Sequence, residues 1–178
     1  MSMNKINIDG VLIVEGKADV CYLSSFVNSL FFTTNGYDLS EEKIEFLKRA
    51  SKVTKLIIYT DPDDAGGEIR KKLKTLINHI FEAKSEKVYR KKQKKFGVAE
   101  LDKDEVVRSL TPYVTSTTFT PIKYELNKLI SISNNPSENH MLLINKYRLI
   151  DGNNKSLENQ LNILKIDPKE VEELLSGN

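Results

Sequence analysis

The sequence is poor in the features that mark secreted, fibrous and membrane-embedded chains. Its 178 residues contain a single cysteine, Cys21. No intramolecular disulfide can form, and a reducing compartment is expected. On spacing, Cys21 reads as a small hydrophobe on the inner face of a helix. Tryptophan is absent, and 8 glycines and 5 prolines are too few for a collagenous or low-complexity chain. No apolar run approaches the ~18 residues that a membrane-spanning helix requires. The stretch from Met1 to Asp9 lacks the basic segment and apolar run of a secretion signal. These absences predict a cytoplasmic protein with no membrane partner. One-sided charge is lacking too: the formal net charge is +2, so any argument about partners rests on how charge is distributed.

What is present is a chain of ordinary globular composition, 39% hydrophobic, long enough for one domain with a small appendage. Val11-Leu12-Ile13-Val14 is an unbroken apolar run, the pattern of a buried parallel strand. A helix is predicted over Lys17 to Val27, with Val20, Leu23 and Val27 on one face. A second strand follows over Leu30 to Thr34, stopped by the turn dipeptide Asn35-Gly36. Ser40 to Ala50 reads as a helix capped by Ser40. Lys55 to Thr60 reads as a third strand, broken by Asp61-Pro62-Asp63-Asp64-Ala65-Gly66-Gly67. A long amphipathic helix is expected next, carrying Ile69, Leu73, Leu76, Ile77 and Ile80. A short fourth strand is placed at Glu86 to Tyr89. Asp102 to Leu110 is predicted helical, with Glu105 completing a variant capping box.

Strands alternating with helices over residues 5–114 imply an α/β domain with a mostly parallel sheet. The Thr- and Ser-rich stretch Thr115 to Pro121 reads as a linker. Beyond it the signals are helical: Lys123 to Ile130, Glu138 to Leu149, Leu157 to Leu164 and Pro168 to Leu175, the last capped by Asp167.

Parallel α/β sheets bind ligands at the carboxyl ends of their strands, where the strand order reverses. The first strand ends in Glu15. The third ends in Asp61, with Asp63 and Asp64 close behind. If those strands are neighbours, the carboxylates converge, and clustered carboxylates repel one another without a counter-ion. Magnesium suits such a cluster, because it takes one or two carboxylates and completes its shell with water and phosphate. Each acidic turn alone is an ordinary loop or helix start. A carboxylate at the mouth of a buried strand is harder to explain as a solvated loop. A phosphatase-like role for Asp61 would leave Glu15-Gly16-Lys17 without an explanation.

The residues VLIVEGKAD, then Thr34-Asn35-Gly36, then LIIYTDPDDAGGEIRKKL resemble the Toprim domain, found in topoisomerases, bacterial primases and some nucleases. Its signature is a Glu after the first strand and Asp-x-Asp after a later one, which Glu15, Asp61 and Asp63 match. Thr60 to Asp63, Gly66, Ile69-Arg70-Lys71, Gly97-Val98 and the tail Asp151 to Leu157 further resemble the 5S ribosomal RNA maturation nuclease family, ribonuclease M five. The resemblance implies a Toprim fold, Rossmann-like with flanking helices, over residues 1–114. A linker and a small all-helical RNA-binding domain over 115–178 follow. It implies Glu15, Asp61 and Asp63 as catalytic and metal-binding residues holding one or two Mg2+, with Mn2+ able to substitute. The implied activity is endonucleolytic cleavage of precursor 5S rRNA, with a 5S-binding ribosomal protein as cofactor. Asp64-Ala65 departs from the aromatic-Pro usual there, which leaves Asp64 as a possible additional ligand. The stretch from Ser116 to Asn139 is shortened.

A basic run, with Arg90, Lys91, Lys92, Lys94 and Lys95 flanked by Tyr89 and Phe96, reads either as a solvated loop or as an RNA surface. Beside an acidic metal site the second reading is preferred, since cations must offset the repulsion of phosphate. Lys17 and Arg70 are the remaining expected RNA contacts, with Arg70 chosen to reach the scissile phosphate. Two other readings stay open on sequence. One is a different small Toprim enzyme, a DNA nuclease or primase-like nucleotidyl transferase. The other is a non-catalytic Toprim module that binds nucleic acid.

Overall fold

The structure is a computed structural model in which residues 5–36, 39–84, 97–132 and 135–176 are described. The chain divides into two compact units, Met1–Phe119 and Thr120–Asn178.

The first unit is built on a sheet whose parallel strands are ordered β2-β1-β3-β4. Strand β1, Ile6–Val14, runs through its middle. Val11, Leu12, Ile13 and Val14 are fully buried, as an uninterrupted apolar run predicts. The strand starts earlier than that run, and its register against β2 shifts between Asn7 and Val11. Gly10 sits in the shift at φ +148, where a Cβ would stand 2.7 Å from the Lys55 carbonyl oxygen. The close approach of Lys55 therefore requires glycine there.

Helix α1 spans Lys17–Ser24 and stops short of the predicted Val27. Ser24 and Ser25 turn their hydroxyls back onto the carbonyls of Cys21 and Tyr22, which competes with continuing the helix. Val27 instead opens strand β2, Val27–Thr33. Cys21 is exposed and does not line the core. Phe26 and Phe32 are buried; Tyr22 and Phe31 pack against the core cluster that holds Phe26, while Phe32 stacks on Phe46. The turn after β2 has positive φ at Asn35 and Gly36, as that dipeptide predicts.

Helix α2, Glu41–Ala50, is capped by Ser40, whose side chain accepts from Lys43 N. Strand β3, Leu56–Ile58, pairs with β1 from Val11 to Ile13. Helix α3, Asp64–Leu76, follows, and strand β4, Ile80–Glu82, pairs parallel with β3. The predicted helix through Ile80 is thus too long by a strand. His79, in the left-handed region at φ 58, marks the break. The strand placed at Glu86 to Tyr89 lies outside the described residues, as does the basic run.

A 3-10 turn at Val98–Glu100 leads to helix α4, Lys103–Leu110. Asp102 precedes α4 without a side-chain capping bond, so the expected capping box is not formed. Glu105 is buried, with its Oε1 unpartnered. Strand β5, Val114–Thr115, ends on the first residue of the stretch read as a linker and lies antiparallel to the early part of β1 that β3 does not reach.

The second unit is helical: α5 Leu126–Ile132, α6 Pro136–Tyr147, α7 Asn154–Ile163 and α8 Pro168–Ser176. Leu126, Leu143, Leu157, Leu161 and Val171 are fully buried within it. Asn135 and Asn153 cap α6 and α7, and Asp167 Oδ1 accepts from Lys169 N at the head of α8. Among the described residues no helix is long and apolar enough to cross a membrane.

Candidate active site

Strand β1 has β2 on one side and β3 on the other, so the chain leaves β1 in one direction and returns in the other. In parallel α/β sheets ligands bind at such a reversal, here at the carboxyl ends of β1 and β3. Glu15 directly follows β1 and Asp61 follows β3, and the pairing of Ile13 with Ile58 brings the two exits side by side. The expected convergence therefore occurs: Glu15 Oε1 accepts from Asp61 N at 2.9 Å. The Glu15 carbonyl accepts from Asn35 N at 2.9 Å, which ties the Thr34-Asn35-Gly36 turn to the same point.

Asp61 Oδ1 accepts from Val98 N at 2.6 Å, which explains why Gly97-Val98 belongs with the acidic turn. Asp63 is the N-cap of α3, and its Oδ1 accepts from Gly66 N at 2.8 Å. Asp64 lies in the first turn of α3 and is exposed. Gly66 is fixed by space. A Cβ there would overlap the Asp61 carbonyl oxygen and stand 2.8 Å from Glu15 Oε1. The turn closes over the carboxylates only because that side chain is missing.

Glu15 and Asp61 are both half-buried, and both hold their protons unusually tightly. Burial raises the Glu15 pKa from 4.5 to about 7. The Asp61 N–H opposes the rise, and the charges of Asp61, Asp63 and Asp19 add to it. Burial likewise raises Asp61 from 3.8 to about 6, opposed by the Val98 N–H and reinforced by Asp19, Asp63 and Glu100. Burial and like charges thus disfavour the ionised form of both carboxyls, a cost that a divalent ion offsets.

Two acidic residues beyond the predicted set thus act on the site. Asp19 is buried in the first turn of α1, and its Oδ2 accepts from Gly16 N at 2.9 Å. Glu100 lies in the 3-10 turn after Gly97. The signal for Asp19 was present in Glu15-Gly16-Lys17-Ala18-Asp19, where a first-turn Asp faces back to the strand end. Glu100 carries no such local signal, because only the fold brings its turn to Asp61.

Among the described residues, no group of three or more His, Cys, Asp or Glu side chains forms a ready metal cage. Glu15, Asp61 and Asp63 each commit one oxygen to a backbone N–H. The remaining oxygens fit an ion held by one or two carboxylates and completed by water and substrate phosphate, the habit of magnesium.

Of the expected RNA contacts, Lys17 is exposed at the start of α1. Arg70 stands beside the site but points inward: its Nη1 donates to Asp61 O at 2.6 Å and Thr60 Oγ1 at 2.8 Å. Arg90, Lys91, Lys92, Lys94 and Lys95 lie outside the described residues. The structure brings Glu15, Asp61 and Asp63 together with Arg70 and leaves Asp64 and Lys17 facing solvent.

Known proteins resemble this chain in sequence and in fold. Residues 10–96 match the Toprim domain family. The ribonuclease M5 of Mycoplasma genitalium is 30% identical over 168 residues, covering 94% of each chain. That of Mycoplasma pneumoniae is 30% identical over 175 residues, covering 96% of this chain and 97% of the relative. The structure of a small TOPRIM domain protein from Bacillus stearothermophilus superimposes with a TM-score of 0.50 at 20% identity. It covers 61% of this chain and 90% of that one, and so supports the fold alone.

Proposed function

The chain belongs to the ribonuclease M5 family of Toprim nucleases, and from that premise we propose that it cuts precursor 5S ribosomal RNA by magnesium-dependent hydrolysis at Glu15, Asp61 and Asp63. Toprim domains generally bind a divalent metal, and the donor set here suits one or two Mg2+, with Mn2+ able to replace it. The observation that carries the reading is the pair of half-buried carboxyls at adjacent strand ends, with pKa values of about 7 and about 6.

A carboxyl with a pKa near neutrality can both take and return a proton at working pH. Glu15 is therefore assigned the proton transfer, accepting from the attacking water or returning a proton to the departing oxygen. Asp61 and Asp63 are oriented by the N–H groups of Val98 and Gly66, which leaves a second oxygen on each for the metal, and Glu15, with Oε1 on the Asp61 N–H, has its other oxygen to share in holding it. When bound, magnesium supplies charge to offset the phosphate oxygens and acidifies a nearby water. Lys17 and the run Arg90, Lys91, Lys92, Lys94 and Lys95 are assigned to RNA phosphates, which the acidic cluster would otherwise repel.

The helical unit is assigned to holding the folded RNA, with exposed Lys155 in the first turn of α7 as one contact. A ribosomal protein that binds 5S rRNA is assigned to shaping the substrate. The test is incubation with precursor 5S RNA, with and without that ribosomal protein, in magnesium and then in chelator. Mature-length product is expected only in magnesium. Product in chelator, or no cleavage of this RNA under any condition, overturns the reading.

A further inference from the structure

The Arg70 side chain is committed to the backbone of the acidic turn. Its Nη1 donates to Asp61 O at 2.6 Å, to Thr60 Oγ1 at 2.8 Å and, at longer range, to Thr60 O at 3.4 Å. Its Nε lies 3.6 Å from Oε1 of Glu82, the last residue of β4. The other Glu82 oxygen is held by Lys74 from α3. Arg70 and Glu82 are only 20% and 14% exposed, so their attraction is little screened. Turning Arg70 outward would strip Glu82 of one partner and leave the three oxygens of Thr60 and Asp61 without this donor.

We infer that Arg70, braced by Glu82, is a positioning residue that fixes the peptides on both sides of Asp61, and is not a contact to substrate phosphate. The inference rests on the reading of Glu15 and Asp61 as metal-holding carboxylates. The Thr60–Asp61 peptide is gripped at both ends, by Arg70 on the Thr60 carbonyl and by Glu15 Oε1 on the Asp61 N–H. The Asp61–Pro62 peptide has no N–H, and Arg70 takes its carbonyl. Thr60 Oγ1 passes the constraint on by donating to Gly66 O, in the first turn of α3. With both flanking peptides held, the Asp61 side chain and the Glu15 carboxylate have fixed directions. A planar guanidinium can grip several oxygens at once, which an ammonium on a flexible stem cannot.

The test uses Arg70→Lys, Arg70→Ala and Glu82→Gln in the full chain, beside Glu15→Gln. Mg2+ binding is measured by calorimetry without RNA, and binding of duplex RNA is measured in chelator across a range of salt. Arg70→Lys and Glu82→Gln are each expected to weaken Mg2+ binding about 10-fold, as loss of an orienting partner does. RNA affinity and its salt slope should match those of the unaltered chain. Unchanged Mg2+ affinity in both variants overturns the clamp, whether or not the melting temperature falls. So does a loss of RNA affinity in Arg70→Ala with a salt slope smaller by about one, the mark of a phosphate contact. If Glu15→Gln also leaves Mg2+ binding unchanged, the underlying site reading falls along with the clamp.

Discussion

Asp61 in the Toprim unit and Asn162 in the helical unit are both polar side chains withdrawn from water, and they end in opposite states. Asn162 is used up by its own backbone surroundings. Its Oδ1 accepts from Ile122 N at 2.7 Å, and its Nδ2 donates to Ile122 O and Glu158 O, both at 2.9 Å. Gln160 treats Ile150 in the same way, accepting from its N–H and donating to its carbonyl. Tyr124 donates to Ile166 O, and Glu158 accepts from Leu126 N. Among the described residues of this unit, Asn139 Nδ2, buried without a partner, is the exception. Asp61 has one oxygen satisfied, a second to spare, and acidic neighbours that make its charge costly. Polar groups that tie down loops are satisfied within the fold, whereas polar groups left over at a strand end are available to something outside it.

The sharpest way to break this comparison is to remove a carboxylate and an amide in turn. Glu15→Gln is expected to slow RNA cleavage by about 10^2- to 10^4-fold, the range for loss of a proton-transferring group, and Asp61→Asn to slow it comparably by weakening the hold on the metal. RNA binding in chelator should survive, and the metal-free chain should melt no earlier than the unaltered one. Cleavage assays beside thermal melts check this, and full activity in either variant removes these residues from the mechanism.

Gly66→Ala should strike both properties at once. The added methyl overlaps the Asp61 carbonyl and crowds Glu15, and overpacking of this kind costs about 1–3 kcal/mol. Denaturant melts and Mg2+ titration are expected to show loss of stability together with loss of metal affinity. A stable variant with normal Mg2+ binding would mean that the turn can open without disturbing the carboxylates. Asn162→Ala is the mirror image. Leaving the Ile122 N–H and carbonyl without their partner should cost about 2 kcal/mol. The loss should appear in the unfolding of the helical unit, with Mg2+ binding by the Toprim unit unchanged. If Mg2+ affinity falls as well, the division of labour between the units is wrong.

Much of the site was legible in the sequence, for a local reason. Glu15 follows a run of four fully buried residues, Val11 to Val14, and a carboxylate in that place has few structural explanations. Asp61 became legible beside it, because parallel strands put successive carboxyl ends on one edge. The misread elements share a cause. Val20, Leu23 and Val27 keep helical spacing, and so do Leu73, Ile77 and Ile80, yet Val27 and Ile80 belong to strands. Periodicity cannot see a helix stopped by Ser24 and Ser25 turning back, or one that ends at Leu76 where Ile77 goes extended and His79 then turns in the left-handed region. The sequence places Arg70 beside the site and predicts that it reaches the scissile phosphate; its inward direction depends on Glu82 arriving from a strand the periodicity had hidden. Glu100 and strand β5 depend on pairings far apart in the chain.

The smallest expected effect is the most specific to the acidic cluster. The folded-state pKa values of about 7 for Glu15 and about 6 for Asp61 lie above the ordinary 4.5 and 3.8 that the unfolded chain retains. The folded state therefore binds more protons between those limits, and metal-free stability falls as pH rises through the window. The contribution is fully present below the unfolded pKa values and is lost once pH passes about 7. Mg2+ binds the deprotonated carboxylates, so it should raise the melting temperature strongly above pH 7 and little near pH 5. The comparison is made against Glu15→Gln, because subtracting its melting profile cancels groups that titrate elsewhere. In chelator the unaltered chain should lose stability relative to that variant as pH rises, by a modest amount, because both carboxyls are only half-buried and water screens their repulsion. Asn162→Ala, which touches no titrating group of this cluster, should shift the whole profile down without changing its slope. A melting difference between the unaltered chain and Glu15→Gln that stays flat with pH would mean that the cluster is better solvated than its geometry implies, and that a bound cation is not needed to hold it together.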